Sequence, residues 1–167
     1  VFCRTRAETQ QVAEKLMADG YSAEALHGDL SQAQRDHVMR KYRQKSVHVL
    51  VATDVAARGL DVDDITHVIH YKLSDEPAAY THRSGRTARA GKSGVSIALI
   101  NLHERRRIAE LERLNNVRIR LEKVPDARAI CENQLLALIH RVVETDVDEA
   151  EIRDYLPPAY EALCHLD

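Results

Sequence analysis

The densest group of residues that could do chemistry is the run HRSGRTAR at residues 82–89. It places Arg83, Arg86 and Arg89 at intervals of three residues around Gly85. Guanidinium groups bind phosphate oxygens through paired hydrogen bonds. The run therefore predicts a clamp for a polyphosphate, or for a transition state that develops negative charge. A solvated basic turn is the alternative, and the short spacing argues against it.

A second candidate is the run ATDVAARGLD at residues 52–61, which follows an almost entirely apolar stretch. Thr53 is placed to donate its hydroxyl to a phosphate, and Asp61 to accept hydrogen bonds from ribose hydroxyls. The alternative is a capped turn in which Asp54 and Arg58 pair four residues apart. Taken by itself, this run leaves both interpretations open.

The glycine-rich stretch 85–93 only superficially resembles a nucleotide-binding loop. Five residues separate Gly85 from Gly91, where the phosphate-loop motif has four. The stretch also runs into a β-rich segment, whereas a phosphate loop opens a helix whose amide groups receive the phosphate. We interpret it as a turn, and the sequence then offers no loop that cradles a nucleotide.

The elements that must position these residues alternate between short β-rich runs and helices of about a dozen residues. This alternation predicts an α/β fold with a mostly parallel sheet and helices on both faces. Ser31 and Gln34 predict a capping box at the start of one helix. The predicted strands are 1–3, 22–27, 47–52, 67–71, 94–100 and 117–124, and the predicted helices are 7–19, 31–45, 77–83 and 103–115.

The loops between these elements carry the chemistry. Ligands of parallel sheets bind beyond the carboxyl ends of the strands. The loops 28–31, 53–61 and 82–91 each follow a strand or a strand–helix step, so we expect them to converge at one edge of the sheet. The chain also begins inside a predicted strand, which we take as the mark of a fragment of something longer.

Composition narrows the class of protein. The chain has 167 residues, 44% of them hydrophobic and 30% charged, which suits a folded domain with a small appendage. No apolar run approaches the roughly 20 residues that a membrane span needs. The cysteines, Cys3, Cys131 and Cys164, are odd in number and far apart, which favours a reducing cytoplasm over a disulfide scaffold or a zinc site.

Charge divides the chain into two parts. Residues 1–125 carry 21 basic and 16 acidic side chains, whereas residues 126–167 carry 3 and 10. The basic body is compatible with a polyanionic partner, and the acidic charge of the tail argues against binding of such a partner by the tail itself. We therefore divide the chain at residues 1–124 and 125–167.

The tail is predicted to be helical. One helix spans 127–144, and a second stretch begins at Asp148, is interrupted at Pro157 and Pro158, and resumes to Leu166. The first helix has an apolar stripe wider than one core contact requires. Two alternatives stay open, a cap on its own lobe and a homodimer interface formed by Leu135, Leu136, Ile139, Val142 and Val143.

Four segments together resemble the C-terminal RecA-like lobe of the DEAD-box RNA helicases, in superfamily 2. VFCRT (1–5), Gln32-x-x-Arg35, ATDVAARGLD (52–61) and HRSGRTAR (82–89) match that family's motifs in order and spacing. The resemblance covers about residues 1–124 and implies ATP-driven RNA unwinding or remodelling. One departure is Ala88, where the family more often has glycine. The tail resembles the segment that follows this lobe in bacterial members.

The resemblance also implies a role for each matching residue. Arg89 corresponds to the arginine finger and Arg86 to its companion on the phosphates, so these are the catalytic candidates. Asp61 and Gly59 join them as ATP-binding residues. The implied contacts to the RNA backbone are Thr5, Gly28, Gln32, Arg35 and Thr53. Arg58 and His82 correspond to positions that join the two lobes.

The family's phosphate loop and its metal-binding Asp-Glu-Ala-Asp motif belong to a preceding N-terminal lobe. The resemblance therefore implies ATP as cofactor, Mg²⁺ held mainly by that lobe, and no ATPase activity from this chain alone. No metal site is predicted within the chain, and no membrane partner. Two rivals stay open: a free-standing RNA-binding or dimerisation module, and a lobe of a DNA-directed superfamily 2 helicase.

Overall fold

Five short strands pair in parallel as one sheet. In this computed structural model, which describes residues 1–57, 65–88, 93–145 and 156–164, the strand order is β2-β3-β1-β4-β5. The strands are β1 (Phe2–Cys3), β2 (Ala23–Leu26), β3 (Val49–Thr53), β4 (His67–His70) and β5 (Val95–Ala98). The predicted α/β class with a parallel sheet is confirmed.

Helices connect the strands and cover both faces of the sheet. Within residues 1–119 they are α1 (Arg6–Ala18), α2 (Gln32–Arg43), α3 (Asp54–Ala57), α4 (Pro77–Ser84) and α5 (Arg105–Asn115), with a 3-10 turn at Leu102–Glu104. Two more helices, α6 (Ala127–Glu144) and α7 (Leu156–Cys164), lie beyond residue 119. The chain forms two compact units, Val1–Ile119 and Arg120–Asp167. Within the described ranges, no helix is both long enough and apolar enough to cross a membrane.

The core consists of two apolar clusters, one on each face of the sheet. On one face, Ala13 of α1 packs against Cys3, Ala25 and Val51. On the other, α2 and α3 pack against the sheet, and the buried members are Phe2, Leu26, Val38, Met39, Ala52, Ala56, Ala57 and Val68. Along β1, β2 and β3, successive residues thus belong to opposite clusters, as expected for strands that are covered on both sides.

Local sequence signals account for the starts of the helices. The Ser31 hydroxyl accepts a hydrogen bond from the Gln34 amide, and the Gln34 side chain accepts one from the Ser31 amide, so the predicted capping box is confirmed. At α1, Thr5 caps the helix and its hydroxyl accepts from the Glu8 amide at 3.1 Å. These caps fix where the chain turns away from the carboxyl ends of β1 and β2.

Two predictions of secondary structure are wrong. Residues 117–124 form no strand, because the backbone amides of Val117 and Ile119 donate to the carbonyl and the side chain of Glu112 instead of to a neighbouring strand. Residues 54–57, predicted as loop, form the turn of helix α3. Pro157 and Pro158 stand in the first turn of α7, where a helix needs no backbone N–H donor, and the helical stretch predicted from Asp148 to the prolines lies almost entirely outside the described residues.

Candidate functional site

The five proposed RNA contacts lie where β1, β2 and β3 end and in the first turn of the helices that follow. Thr53, which is buried, ends β3, and its hydroxyl accepts from the Ala56 amide at 3.4 Å. Arg35, half-buried on α2, donates to the Ala56 carbonyl at 3.2 Å. Thr5 and Gly28 are exposed after β1 and β2. The sequence therefore placed these residues correctly at one edge of the sheet, which we name the carboxyl edge.

The fifth candidate, Gln32, is the first residue of α2 and is exposed. Its side-chain amide donates to Asp36 at 2.8 Å, one turn further along the helix. Gly28 does not serve a close backbone contact within this unit, because a Cβ there would meet only the Arg6 side chain, at 3.9 Å. Gln32 and Gly28 are thus both exposed to solvent at the carboxyl edge.

Ion pairs balance the charge along this edge. Arg6 pairs with Asp29, and Arg4 pairs with Asp75 at 2.9 Å. Lys72 pairs with Glu8 at 2.8 Å. A polyanion that binds here must therefore compete for some of these cations, and solvent-exposed pairs of this kind contribute only about 0–1 kcal/mol each.

Arg83 is not part of a phosphate clamp. Its guanidinium is 3% exposed and donates to both carboxylate oxygens of Asp54, each at 2.6 Å. A third nitrogen–oxygen contact joins it to the Lys72 carbonyl at 2.9 Å. It also lies over the Phe2 ring, 5.3 Å from the centroid. Asp54 therefore pairs with Arg83, 29 residues away, while Arg58, the other partner considered for it, lies outside the described residues.

The end of the arginine run lies at the opposite end of the sheet. After α4, Thr87 forms a parallel bridge with Ile65, ahead of β4, and its hydroxyl donates to the Ile65 carbonyl. Arg86 lines a groove of about 1070 Å³ whose other lining residues come mainly from the end of α2, from β1, and from β3 and β4 with the residues that precede them. The expected convergence of all three loops at one edge is therefore wrong for this part of the run, because α4 carries the chain back along the length of the sheet.

Four of the proposed site residues, Arg58, Gly59, Asp61 and Arg89, lie outside the described residues. His82 is exposed on α4. Among the described residues, no group of three or more His, Cys, Asp or Glu side chains could hold a metal ion. Of the arginines on α5, Arg107 is bound to Ser74 and Glu104, while Arg105 and Arg106 are exposed.

Sequence reasoning did not identify a buried polar cluster beneath α4. His70 is fully buried, and its Nε2 lies 3.2 Å from both the Ser84 and the Ser96 hydroxyls. The Tyr80 ring stacks on it at 4.8 Å between centroids. Burial, together with the nearby charge of Arg83, lowers the pKa of His70 from 6.5 to about 4, so the ring is neutral at pH 7. Strand alternation alone could have placed His70 on the same face as the buried Val68.

The proposed dimer residues lie on α6, and all of them are exposed. Their exposed fractions run from 48% at Ile139 to 76% at Val143. Asp126 caps this helix by accepting from the Ala129 amide at 2.8 Å. The helix thus carries a broad apolar surface that its own unit does not bury.

Comparison with known proteins relates both units to helicases. The family model "Helicase conserved C-terminal domain" matches residues 1–91, and "Probable ATP-dependent RNA helicase, helical domain" matches residues 130–167. The chain is 42% identical over 149 residues to the DEAD-box ATP-dependent RNA helicase CshA of Geobacillus kaustophilus, covering 87% of this chain and 32% of that protein. It is 38% identical over 163 residues to CshA of Bacillus subtilis, covering 98% and 33%. The chain thus spans about a third of the length of these relatives.

Solved structures share the fold. A DEAD box protein from the hyperthermophile Methanococcus jannaschii superimposes with a TM-score of 0.68 at 45% identity, covering 73% of this chain and 34% of that one. Helicase domain 2 of the DEAD-box protein Mss116p, bound to an RNA duplex, superimposes with a TM-score of 0.66 at 30% identity, covering 78% and 53%. The predicted RecA-like fold and family resemblance are confirmed.

Proposed function

Because this chain belongs to the helicase conserved C-terminal domain family, we propose that it is the C-terminal lobe of a DEAD-box ATP-dependent RNA helicase. In this role it supplies RNA-backbone contacts and an arginine finger to a cleft that closes against an N-terminal RecA-like lobe. ATP and RNA hold the two lobes together, and bending of the bound RNA on closure separates strands. This is a hinge-closure mechanism.

The observation that carries the proposal is the position of the two motif groups at opposite ends of one sheet. Thr53 and Arg35 converge on Ala56 at the carboxyl edge. Arg86 and Thr87 lie at the other end, beside Ile65. One lobe of this design can contact RNA at one end and a nucleotide at the other. Helix α4, fixed by the pair between Arg83 and Asp54, connects the two ends.

The proposed chemistry divides between the lobes. Arg89, with Arg86, stabilises charge on the γ-phosphate, and Asp61 and Gly59 contact the nucleotide. Arginine fingers contribute about 10³–10⁵ in rate in other phosphoryl-transfer enzymes. Mg²⁺ is held mainly by the N-terminal lobe, so the isolated chain should hydrolyse no ATP. Arg58 and His82 join the lobes, and the unpaired cysteines agree with a cytoplasmic location.

The proposed RNA contacts go to phosphate and sugar. Thr5, Gly28, Gln32, Arg35 and Thr53 would then bind RNA of any sequence, with an affinity that falls as salt rises. A free-standing RNA-binding module would share this behaviour but would need no partner lobe and no arginine finger. The ATPase experiment separates the two functions.

The test joins this chain to a DEAD-box N-terminal lobe and measures ATP hydrolysis with and without RNA. We expect RNA-stimulated turnover that falls at least about a hundredfold in Arg89→Ala while RNA binding is retained. Arg105→Ala, at an exposed arginine of the same unit, is the control and should stay within about twofold of the unaltered protein. Equal turnover in the unaltered protein and Arg89→Ala would refute the arginine-finger assignment. No response to RNA would favour the binding module.

We further propose that residues 125–167 form a homodimer through Leu135, Leu136, Ile139, Val142 and Val143. The support is the exposure of these side chains on α6, since an apolar surface of this breadth is usually covered by a partner. Light scattering at micromolar concentration should give a dimer for the unaltered chain and a monomer for Leu135→Glu. The matched control is Asn133→Glu, a polar exposed position on the same helix. A monomer at every concentration would return the tail to a capping role.

A further inference from the structure

The Thr87 hydroxyl joins the two segments to which we assign ATP contacts. It donates to the Ile65 carbonyl and lies 3.2 Å from the Thr66 carbonyl oxygen, and the residue is 7% exposed. Ile65 directly follows segment 58–64, which carries the proposed ATP residues Gly59 and Asp61. Thr87 itself follows Arg86. A single side chain therefore connects both segments at their described ends.

The carbonyls that receive Thr87 are firmly held. Ile65 packs against the apolar cluster beneath α2 and α3. The Thr66 carbonyl also accepts from the Val95 amide at 3.0 Å, which ties it to β5. The turn that carries Arg86 is thus attached to the amino end of β4, which belongs to the sheet.

Gly94 closes the turn from the other side. A Cβ at Gly94 would lie 2.1 Å from the Thr87 hydroxyl oxygen and 2.7 Å from the Ala88 amide nitrogen, so the backbone there is in direct contact with the turn. Ala88 has a φ of 57°, in the left-handed region that residues other than glycine rarely adopt. The turn is therefore held in a conformation that its own sequence does not favour.

We propose that Thr87 is a positioning residue for ATP hydrolysis, whose hydroxyl fastens the turn that carries Arg86 to the amino end of β4. This inference rests on the proposed function. A displacement of about 1 Å in a catalytic group can cost about a hundredfold in rate, so loss of the attachment should act on turnover and not on RNA affinity. A residue that only fills space in the core would have no such selective effect.

The test compares two variants in the two-lobe protein. Thr87→Val keeps the shape but removes the hydroxyl, and it should lower the kcat of RNA-stimulated ATP hydrolysis at least about tenfold, with unchanged RNA affinity. Thr87→Ser keeps the hydroxyl and should restore kcat to within about threefold. A kcat for Thr87→Val equal to that of the unaltered protein would overturn the proposal. An unaltered protein without RNA-stimulated hydrolysis would overturn the proposed function instead.

A double-variant cycle separates positioning from a general loss of folding. If Thr87 acts through the arginines, Thr87→Val should have almost no further effect on kcat in the Arg89→Ala background. An equal fold-loss in both backgrounds would show a structural role and refute the proposal. Gly94→Ala displaces the same hydroxyl without removing it, and it serves as a second variant. It should give a loss of kcat that likewise disappears in Arg89→Ala.

Discussion

Arg83 and Asp54 form a two-pronged ion pair, with two nitrogen–oxygen distances of 2.6 Å, between residues 29 positions apart. The pair lies at the carboxyl edge, where it fastens α4 to the end of β3. The guanidinium is almost fully buried, while the Asp54 side chain is 37% exposed. Removal of Asp54 therefore leaves the desolvated Arg83 charge without its carboxylate. Removal of the Arg83 guanidinium takes away both hydrogen bonds to Asp54.

Asp54→Asn should destabilise the chain by about 2–3 kcal/mol, because it leaves the buried Arg83 charge without its carboxylate. Arg83→Lys should lose about 1–2 kcal/mol, because an ammonium group cannot form the fork. Urea unfolding measures both free energies. The matched control is Arg106→Gln, at an exposed arginine, which should change the free energy of unfolding by less than about 0.5 kcal/mol. Stability of Arg83→Lys equal to that of the unaltered chain would contradict the structural role.

The sequence was sufficient wherever a local pattern decided the structure. The start of α2 followed from Ser31 and Gln34, and the buried strand β3 from its apolar run. The pair between Arg83 and Asp54 had no local signal, because it depends on two elements meeting across the sheet. For the same reason, the spacing of residues in the sequence did not predict that α4 carries Arg86 to the end of the sheet opposite Thr53.

The alternating apolar pattern gave a wrong prediction where the backbone amides found hydrogen-bond partners close by in the sequence. Residues 117–124 alternate like an edge strand, yet Glu112 receives the amides of Val117 and Ile119. Local hydrogen bonding of this kind overrides β-propensity. The candidate RNA contacts, by contrast, were found together because β1, β2 and β3 are parallel and end at one edge.

His70 should make folding stability depend on pH. Burial lowers its pKa from 6.5 to about 4, so the unfolded chain binds a proton between these values that the folded chain does not. The contribution is fully present above about pH 6.5 and is lost as pH falls toward 4, up to about 3 kcal/mol at 1.36 kcal/mol per pKa unit. Urea unfolding from pH 4 to 7 measures it. The control is His82→Gln, an exposed histidine whose removal should leave this slope in place.

NMR titration tests the same group directly. The ring signals of His70 should stay at their neutral-form position down to about pH 5, which is one unit above its pKa of about 4. A titration midpoint above pH 6 would show that burial does not exclude the charged ring, and the stability slope would then need another cause.

The turn after α4 predicts opposite effects for two substitutions. Ala88→Gly should raise the free energy of unfolding by about 0.5–1 kcal/mol, because glycine adopts a φ of 57° without strain. Gly94→Ala should lower it by about 2 kcal/mol or more, because the added methyl collides with Thr87 and the Ala88 backbone. Thermal melting of the chain measures both. Gly28→Ala, whose Cβ would meet only a side-chain atom at 3.9 Å, is the matched control and should be nearly neutral.

Gln32 and Arg35 should affect RNA binding in different ways. Gln32→Ala and Arg35→Ala should each weaken RNA binding by a factor that does not depend on the RNA sequence, because the proposed contacts are to the backbone. Arg35→Ala removes a cation and should reduce the slope of log affinity against log salt by about 0.7–1, whereas Gln32→Ala should leave that slope unchanged. Arg35→Ala also loses the hydrogen bond to the Ala56 carbonyl and so lowers stability, whereas Gln32→Ala, at an exposed position, does not lower it.

Binding titrations at several salt concentrations on the two-lobe protein measure these effects. The control is Arg40→Ala, at an exposed arginine in the last turn of the same helix. An equal loss of slope in Arg40→Ala and Arg35→Ala would mean that α2 contributes only diffuse charge, and the specific contact at Arg35 would be wrong.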